Sequence, residues 1–350
     1  MRDFRLELAL DDGRLLGVTH EGRLRMIDRD GHDAGGMRDR DRIVPCGSVH
    51  SISVFRDRVL IKDKRELFVT DRALNLVERL ASPPGGYAVF VGDGLVHHKD
   101  DRIVFIDRAG RPRELCRVPV ELAYDAMDRW EMETGTPALA GWITVNAAPG
   151  GDVTRSLVEA AKDPSRGTAL RRGGRLPGFA WRLGYLEPMT ALFLVNSAVP
   201  PHLVICLSRE GEPRWCTYLS SGCCGGMPTA LPDGRLAVSS GCGGIVSWLD
   251  RRGTVLARRK PFEGVGLASA CGSVVRPLAD SGCVVDGGQG VTAYDASCEL
   301  RWRSPTQCCQ YDYDEQHGLL VTATWHDDEP RTWIQIGCVK HLGSLHPASA

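Results

Sequence analysis

One short motif recurs along the chain and constrains its fold more than any other feature of the sequence. In each copy an apolar run ends in Asp or Ser, and Gly follows three residues later in most copies. The anchor residues are Asp28, Asp71, Asp107, Ser208, Asp250 and Asp295. Successive anchors are 43, 36, 101, 42 and 45 residues apart, and periods of roughly 40 to 50 residues are typical of propeller blades. The longest interval therefore contains one period and an insertion of roughly 60 residues.

A second motif lies upstream of the anchors and consists of an Asp–Gly pair followed by a short apolar run. Examples are Asp12-Gly13, Asp93-Gly94 and Asp233-Gly234. Asp–Gly pairs between apolar runs favour tight turns that join antiparallel strands. The two motifs together predict four antiparallel strands in each repeat unit, which is the strand number of a β-propeller blade.

The spacing predicts an all-β fold, a seven-bladed β-propeller, with six or eight blades as alternatives. Residues 1–338 are expected to form this single domain, followed by a loosely ordered tail over 339–350. The last blade has no clear fourth strand, and the segment Phe4–Leu8 could provide one. The predicted blades cover residues 3–36, 48–82, 86–118, 183–219, 226–262, 270–304 and 308–338.

Residues 119–182 interrupt the repeat and are interpreted as an insertion between blades three and four. Two segments within it, Glu121 to Thr134 and Val153 to Lys162, have the composition and apolar spacing of helices. The insertion is therefore expected to be partly helical.

Several repeat copies, Ile245–Gly253 and Gly290–Asp295 among them, resemble the PQQ-like (quinoprotein-type, WD-like) propeller repeat. In that repeat a Trp follows the Gly turn, and Trp215 and Trp302 match its position. The resemblance implies a propeller fold and leaves the function open, because one fold serves many functions.

Quinoprotein alcohol dehydrogenases hold PQQ against a disulfide between adjacent cysteines, and this chain has two such doublets, Cys223-Cys224 and Cys308-Cys309. Those enzymes are exported, much longer and dependent on Ca²⁺. This sequence has neither an export signal nor a clear calcium-binding set. PQQ is therefore not the expected cofactor.

Charge and hydropathy narrow the expected partners and compartment. The chain has 350 residues, with 43 Lys and Arg against 44 Asp and Glu, so bulk nucleic-acid binding is not expected. The N-terminus lacks the apolar core of a signal peptide. The sequence contains no run of 18 consecutive apolar residues, the length that a membrane-spanning helix needs. We therefore expect no membrane partner and a cytoplasmic location, where the 13 cysteines would not form a structural disulfide framework.

The cysteines recur at one position of the repeat. Cys46, Cys224, Cys271 and Cys309 each come just before the predicted innermost strand of a blade. Innermost strands line the central channel of a propeller, so these thiols could ring one mouth of it. Further residues that could join them are Cys223, Cys308, Cys242, His50 and His326.

Such a cluster could bind a soft metal, Zn or Cu, or form a reactive dithiol. The alternative interpretation is packing, because Cys is small and often buried, and no pair has the Cys-x-x-Cys spacing of zinc sites.

Two hypotheses of function follow from the sequence. The first is a propeller scaffold that presents one face to a protein or peptide partner. The second is a metal-dependent or thiol-redox enzyme or carrier that uses the cysteines. The sequence lacks a phosphate-binding loop, a Gly-x-Ser-x-Gly elbow and a His-Glu-x-x-His motif, so it leaves open whether the protein is an enzyme.

Overall fold

The structure is a computed structural model with side chains. It describes residues 4–9, 14–19, 24–28, 32, 51–55, 57–62, 66–81, 88–99, 101–135, 181–196, 202–219, 226–240, 245–260, 275–286, 290–304, 310–316, 318–326 and 329–338.

The described residues form seven antiparallel sheets, numbered here in chain order. Sheets one, two and three contain β1 (Phe4–Ala9), β2 (Leu15–Thr19), β3 (Leu24–Ile27); β4 (Ser51–Phe55), β5 (Arg58–Lys62), β6 (Glu66–Asp71), β7 (Leu76–Ala81); and β8 (Ala88–Val91), β9 (Gly94–Lys99), β10 (Arg102–Ile106), β11 (Pro112–Arg117).

A helix, α1 (Val120–Thr134), follows sheet three and precedes sheet four. Sheets four and five contain β12 (Trp181–Leu186), β13 (Ala191–Asn196), β14 (Leu203–Ser208), β15 (Pro213–Tyr218); and β16 (Thr229–Ala230), β17 (Leu236–Ser240), β18 (Ile245–Leu249), β19 (Val255–Arg259). A 3₁₀ turn, Glu187–Met189, joins β12 to β13.

Sheets six and seven complete the described strands, which follow one another within each sheet in chain order. They contain β20 (Val275–Pro277), β21 (Cys283–Asp286), β22 (Val291–Tyr294), β23 (Leu300–Ser304); and β24 (Gln310–Asp314), β25 (Leu319–His326), β26 (Glu329–Cys338).

The observed sheets agree with the repeat read from the sequence. Each predicted blade holds one sheet, and five of the seven described sheets have the four antiparallel strands expected of a blade. Phe4–Ala9 pairs with β2 in sheet one, whereas the sequence had suggested it as a fourth strand for the last blade. Sheets one and seven have three strands within the described residues, and a total of seven blades stays a prediction.

The contacts divide the chain into two compact units. The first comprises 1–114, 289–293 and 301–350, and the second 115–288 and 294–300. Sheets one, two and seven lie wholly in the first unit, and sheets four and five and α1 lie wholly in the second. The single domain over 1–338 stays a prediction.

The strands of sheet four show why the sequence of a blade alternates between apolar and polar runs. Its two central strands, β13 and β14, are buried at every residue. The outer strand β15 begins with the exposed Pro213 and Arg214. A central strand that is covered on both faces has a continuous apolar sequence, whereas an outer strand can carry charged residues.

The anchor motif forms one recurring turn. The Asp107 carboxylate accepts hydrogen bonds from the backbone N–H groups of Ala109 and Arg111, both at 2.9 Å. The Ser208 hydroxyl accepts the equivalent bonds from Glu210 at 3.1 Å and Glu212 at 3.2 Å. Short polar side chains that bond nearby N–H groups in this way are favoured in turns.

The backbone conformation of the third residue after each anchor explains why this residue is glycine in most copies. Its φ is +75° at Gly110, +94° at Gly211 and +83° at Gly253, the left-handed region that glycine enters without steric cost. Leu74 and Cys298 occupy the same region at +65° and +63°, which makes their repeat copies look irregular in sequence.

Helix α1 confirms the first of the two predicted helices. It packs against β14 and β15 of sheet four through the buried Ala123, Met127 and Trp130. The Arg129 guanidinium donates a hydrogen bond to the Cys216 carbonyl at 3.2 Å. The helix thus covers the outer strand of sheet four, which removes a free sheet edge. The predicted helix over 153–162 lies outside the described residues.

None of the helices that the structure describes is both long and apolar enough to cross a membrane.

Candidate binding groove

A groove with a volume of about 440 Å³ lies between sheets two and three. Its mouth is formed by the β4–β5 turn, the β8–β9 turn and the turn after β10. It is lined by Asp57, Arg58, Val69, Val77, Glu78, Phe90, Gly92, Asp93, Gly94, Leu95, Ile106, Asp107 and Arg108. This volume is within the range of protein pockets that hold small ligands or a few side chains, roughly 300 to 1,000 Å³.

The floor of the groove is apolar. Val69 and Leu95 are 1% and 3% exposed and belong to one hydrophobic cluster shared by sheets two and three. Phe90 and Ile106 pack against this cluster and are partly buried. Val77 stands at the edge and is 52% exposed. Val77, Phe90 and Ile106 thus give the groove a small apolar patch that is open to solvent and framed by polar groups.

The β8–β9 turn brings backbone unusually close to the neighbouring strand. A Cβ atom at Gly94 would overlap the ring of Phe105 and would lie 2.8 Å from the Ile106 carbonyl oxygen. Gly92, at the first position of the turn, has φ of +62°. Glycine at these two positions allows a tight wall at the mouth of the groove.

Four carboxylates and two guanidinium groups surround the apolar floor, and two of the carboxylates are engaged in ion pairs. Asp107 pairs with Arg111 at 2.8 Å. Hydrogen bonds from the Arg111 backbone and side chain and from the Ala109 backbone outweigh desolvation and hold the pKa of Asp107 below its usual value. Asp93 lies 3.9 Å from Arg108, and both side chains are largely exposed. Ion pairs this long and this exposed contribute little to stability.

The remaining three charged residues of the groove are Asp57, Arg58 and Glu78. Asp57 and Glu78 are exposed and Arg58 is half-buried. Within the described part of the chain, no ion pair engages any of the three. All three side chains line the groove, where a ligand would contact them.

The cysteine site predicted from the sequence cannot be placed on this structure. Cys46, Cys223, Cys224, Cys242, Cys271, Cys308, Cys309 and His50 lie outside the described residues. His326 ends β25, and its backbone pairs with Glu329 of β26. Among the residues that are described, no three His, Cys, Asp or Glu side chains are grouped to hold a metal ion.

Three of the described cysteines have the properties of packing residues. Cys206, Cys216 and Cys283 are buried free thiols. Burial raises the pKa of each to about 12. A thiol with so high a pKa is protonated at neutral pH and is a poor nucleophile or metal ligand.

A buried histidine was missed in the sequence. His202 is 0% exposed, just before β14, and its carbonyl accepts a hydrogen bond from the Leu219 N–H at 2.8 Å. Neither imidazole nitrogen has a hydrogen-bond partner within the described structure. Burial lowers the pKa of His202 to about 3. The signal that could have revealed it is its position directly before a continuous apolar run, Leu203 to Leu207.

Solved structures with similar folds are β-propellers. Streptogramin B lyase matches with a TM-score of 0.55 at 9% identity, over 96% of this chain and 94% of the lyase. A catalytically inactive virginiamycin B lyase from Staphylococcus aureus, solved with quinupristin, matches with a TM-score of 0.56 at 10% identity, over 96% and 95%. The Cps50 (Swd1) β-propeller domain from Myceliophteria thermophila matches with a TM-score of 0.55 at 10% identity, over 97% of both chains.

These similarities establish that the chain is a β-propeller repeat protein, in agreement with the fold read from its repeats. At about 10% identity they show the fold alone. No protein-family model matches the sequence, and no curated protein sequence matches it significantly.

Proposed function

We propose that this β-propeller is a binding scaffold and that the groove between sheets two and three holds a segment of a protein partner. The observation that carries the proposal is the groove itself, which has apolar side chains at its floor and six charged side chains around them. Because a fold does not specify a function, the proposal rests on this site.

The construction of the groove suits an extended peptide segment. Its floor belongs to the packed cluster shared by sheets two and three. The turn at its mouth is held by the Asp107 carboxylate. A preformed site of this kind loses little conformational freedom on binding, so more of the contact energy appears as affinity. A partner would bury one or two apolar side chains against Phe90 and Ile106.

Substitution of Val77 tests the groove with a control on the same strand. We expect Val77→Asn to weaken, by at least tenfold, the binding of peptides selected on the unaltered protein from a phage-displayed random heptapeptide library. The reason is that Val77 lines the groove, and a polar amide there reduces apolar contact. Binding is measured by fluorescence anisotropy with the selected peptides.

The matched control is Leu76→Asn. Leu76 is the preceding residue of β7, is 42% exposed and does not line the groove. Both positions are exposed, so neither change is expected to unfold the protein. Equal affinity loss in the two variants, or a library that yields no binder, would contradict the proposed function.

A second candidate function is a metal-dependent or thiol-redox enzyme or carrier built on the repeated cysteines. The sequence pattern favours it, because Cys46, Cys224, Cys271 and Cys309 recur at one position of the repeat. Cysteine thiolates from neighbouring blades would bind a soft metal such as Zn or Cu. No residue of this candidate overlaps the groove.

Metal content and free thiols, measured together on protein purified without oxygen or chelator, test this candidate. It predicts near-stoichiometric Zn or Cu that is lost in Cys224→Ser or Cys271→Ser. The metal should remain in Cys116→Ser, since Cys116 is a half-buried thiol on β11 and does not belong to the candidate set. Metal-free protein with all 13 thiols reduced and slow to react would leave the cysteines as packing residues.

A further inference from the structure

The charges around the groove indicate which kind of segment it binds. We infer that the groove is selective for a peptide segment in which an apolar side chain is next to Lys or Arg. This inference rests on the proposed function and adds the chemical class of the partner to it. Its first support is the lining itself, which carries four carboxylates, Asp57, Glu78, Asp93 and Asp107, and two guanidinium groups.

The second support is how these charges are distributed between internal pairs and solvent. Asp107 is held by its turn and by Arg111, so it is not free to turn toward a ligand. Asp93 and Arg108 face each other across 3.9 Å, and water screens both. Asp57 and Glu78 have no ion pair within the described residues, and both are exposed to solvent at the groove.

The cationic Arg58, which also has no ion pair among the residues that the structure describes, opposes this selectivity. It is half-buried, whereas Asp57 and Glu78 are exposed. A basic side chain at the rim would meet the two exposed carboxylates in solvent, whereas Arg58 is less accessible. Charges at the rim of an interface mainly determine selectivity and the association rate. The apolar floor would therefore provide the affinity and the carboxylates the preference between partners.

The same balance argues against a polyanionic partner. Nucleic-acid sites need clustered Lys and Arg to neutralise phosphates, and carboxylates outnumber guanidinium groups in this groove. The occupant with the complementary chemistry is a basic protein segment that contains an aliphatic or aromatic residue.

Two fluorescein-labelled peptides with the same central leucine test the inference, Ser-Gly-Lys-Leu-Arg-Gly-Ser and Ser-Gly-Glu-Leu-Glu-Gly-Ser. Fluorescence anisotropy is expected to show at least fivefold tighter binding of the basic peptide at low salt. The difference should shrink as NaCl is raised, because exposed charges are screened. In Glu78→Lys the preference should disappear or reverse, whereas Arg58→Gln should strengthen it.

The matched control is Glu210→Lys, which makes the same change of charge in an exposed turn of sheet four, outside the groove. It should leave the preference unchanged. Equal or tighter binding of the acidic peptide would overturn the inference and leave the groove as a peptide site. If neither peptide binds while library-selected peptides do, the inference fails alone. If neither the two peptides nor any library peptide binds, the inference and the proposed function both fail.

Discussion

Gly94→Ala is expected to lower the free energy of unfolding by about 3 kcal/mol, at the upper end of what overpacking costs in a folded core. The added Cβ would overlap the Phe105 ring and crowd the Ile106 carbonyl oxygen at 2.8 Å. The Ile106 carbonyl belongs to the backbone of β10, so it cannot move aside as a side chain could. Urea denaturation followed by circular dichroism measures the loss.

Gly110→Ala separates steric overlap from backbone strain in the same sheet. Gly110 has φ of +75°, and a Cβ there would meet no atom within 4 Å, so only the strain of a left-handed alanine remains, about 1 kcal/mol. We therefore expect Gly94→Ala to be clearly the more damaging change. Equal losses in the two variants would show that the wall of the groove is not closely packed at Gly94.

Acidification from pH 7 to pH 5 is expected to lower the free energy of unfolding through His202 by about 2 kcal/mol. The sign follows from the pKa, which burial lowers from 6.5 to about 3 in the folded protein. Between these values the unfolded chain binds a proton at His202 that the folded protein does not. Acid therefore favours unfolding, and the folded protein regains this stability as the pH rises toward 7.

His202→Leu should remove this contribution, and urea denaturation at pH 7 and pH 5 compares the two proteins. The control is Leu256→Gln, since Leu256 is 53% exposed and the change adds or removes no titratable group. An unchanged pH dependence in His202→Leu would contradict the lowered pKa and would mean that a hydrogen-bond acceptor stabilises the protonated imidazole in the folded protein.

The sequence predicted the sheets well because each blade is specified by local features. The anchors Asp107, Ser208 and Asp250 close similar turns through their own side chains, so a motif of four residues locates the end of a strand. The helix over Val120–Thr134 was also predictable, because its apolar residues Ala123, Met127 and Trp130 recur at helical spacing. Leu74 and Cys298 made two copies look irregular, since the left-handed position there lacks glycine.

The groove could not be predicted, because its lining comes from two sheets. Phe90 and Val69 are ordinary strand residues in sequence, and only packing between sheets two and three makes them one floor. Its charged residues, such as Asp57 and Asp93, looked like solvent-exposed turn residues. The cysteines that repeat at the blade starts lie outside the described residues, so their role stays a prediction.

Hydrogen–deuterium exchange with and without a library-selected peptide tests the central claim most directly. If the groove is the binding site, the bound peptide should slow exchange over residues 57–58, 77–78, 90–95 and 106–108, the segments that line it. Exchange in the strands of sheets four and five should be unchanged. Protection confined to sheets four and five, with none at the groove, would show that the propeller binds its partner elsewhere.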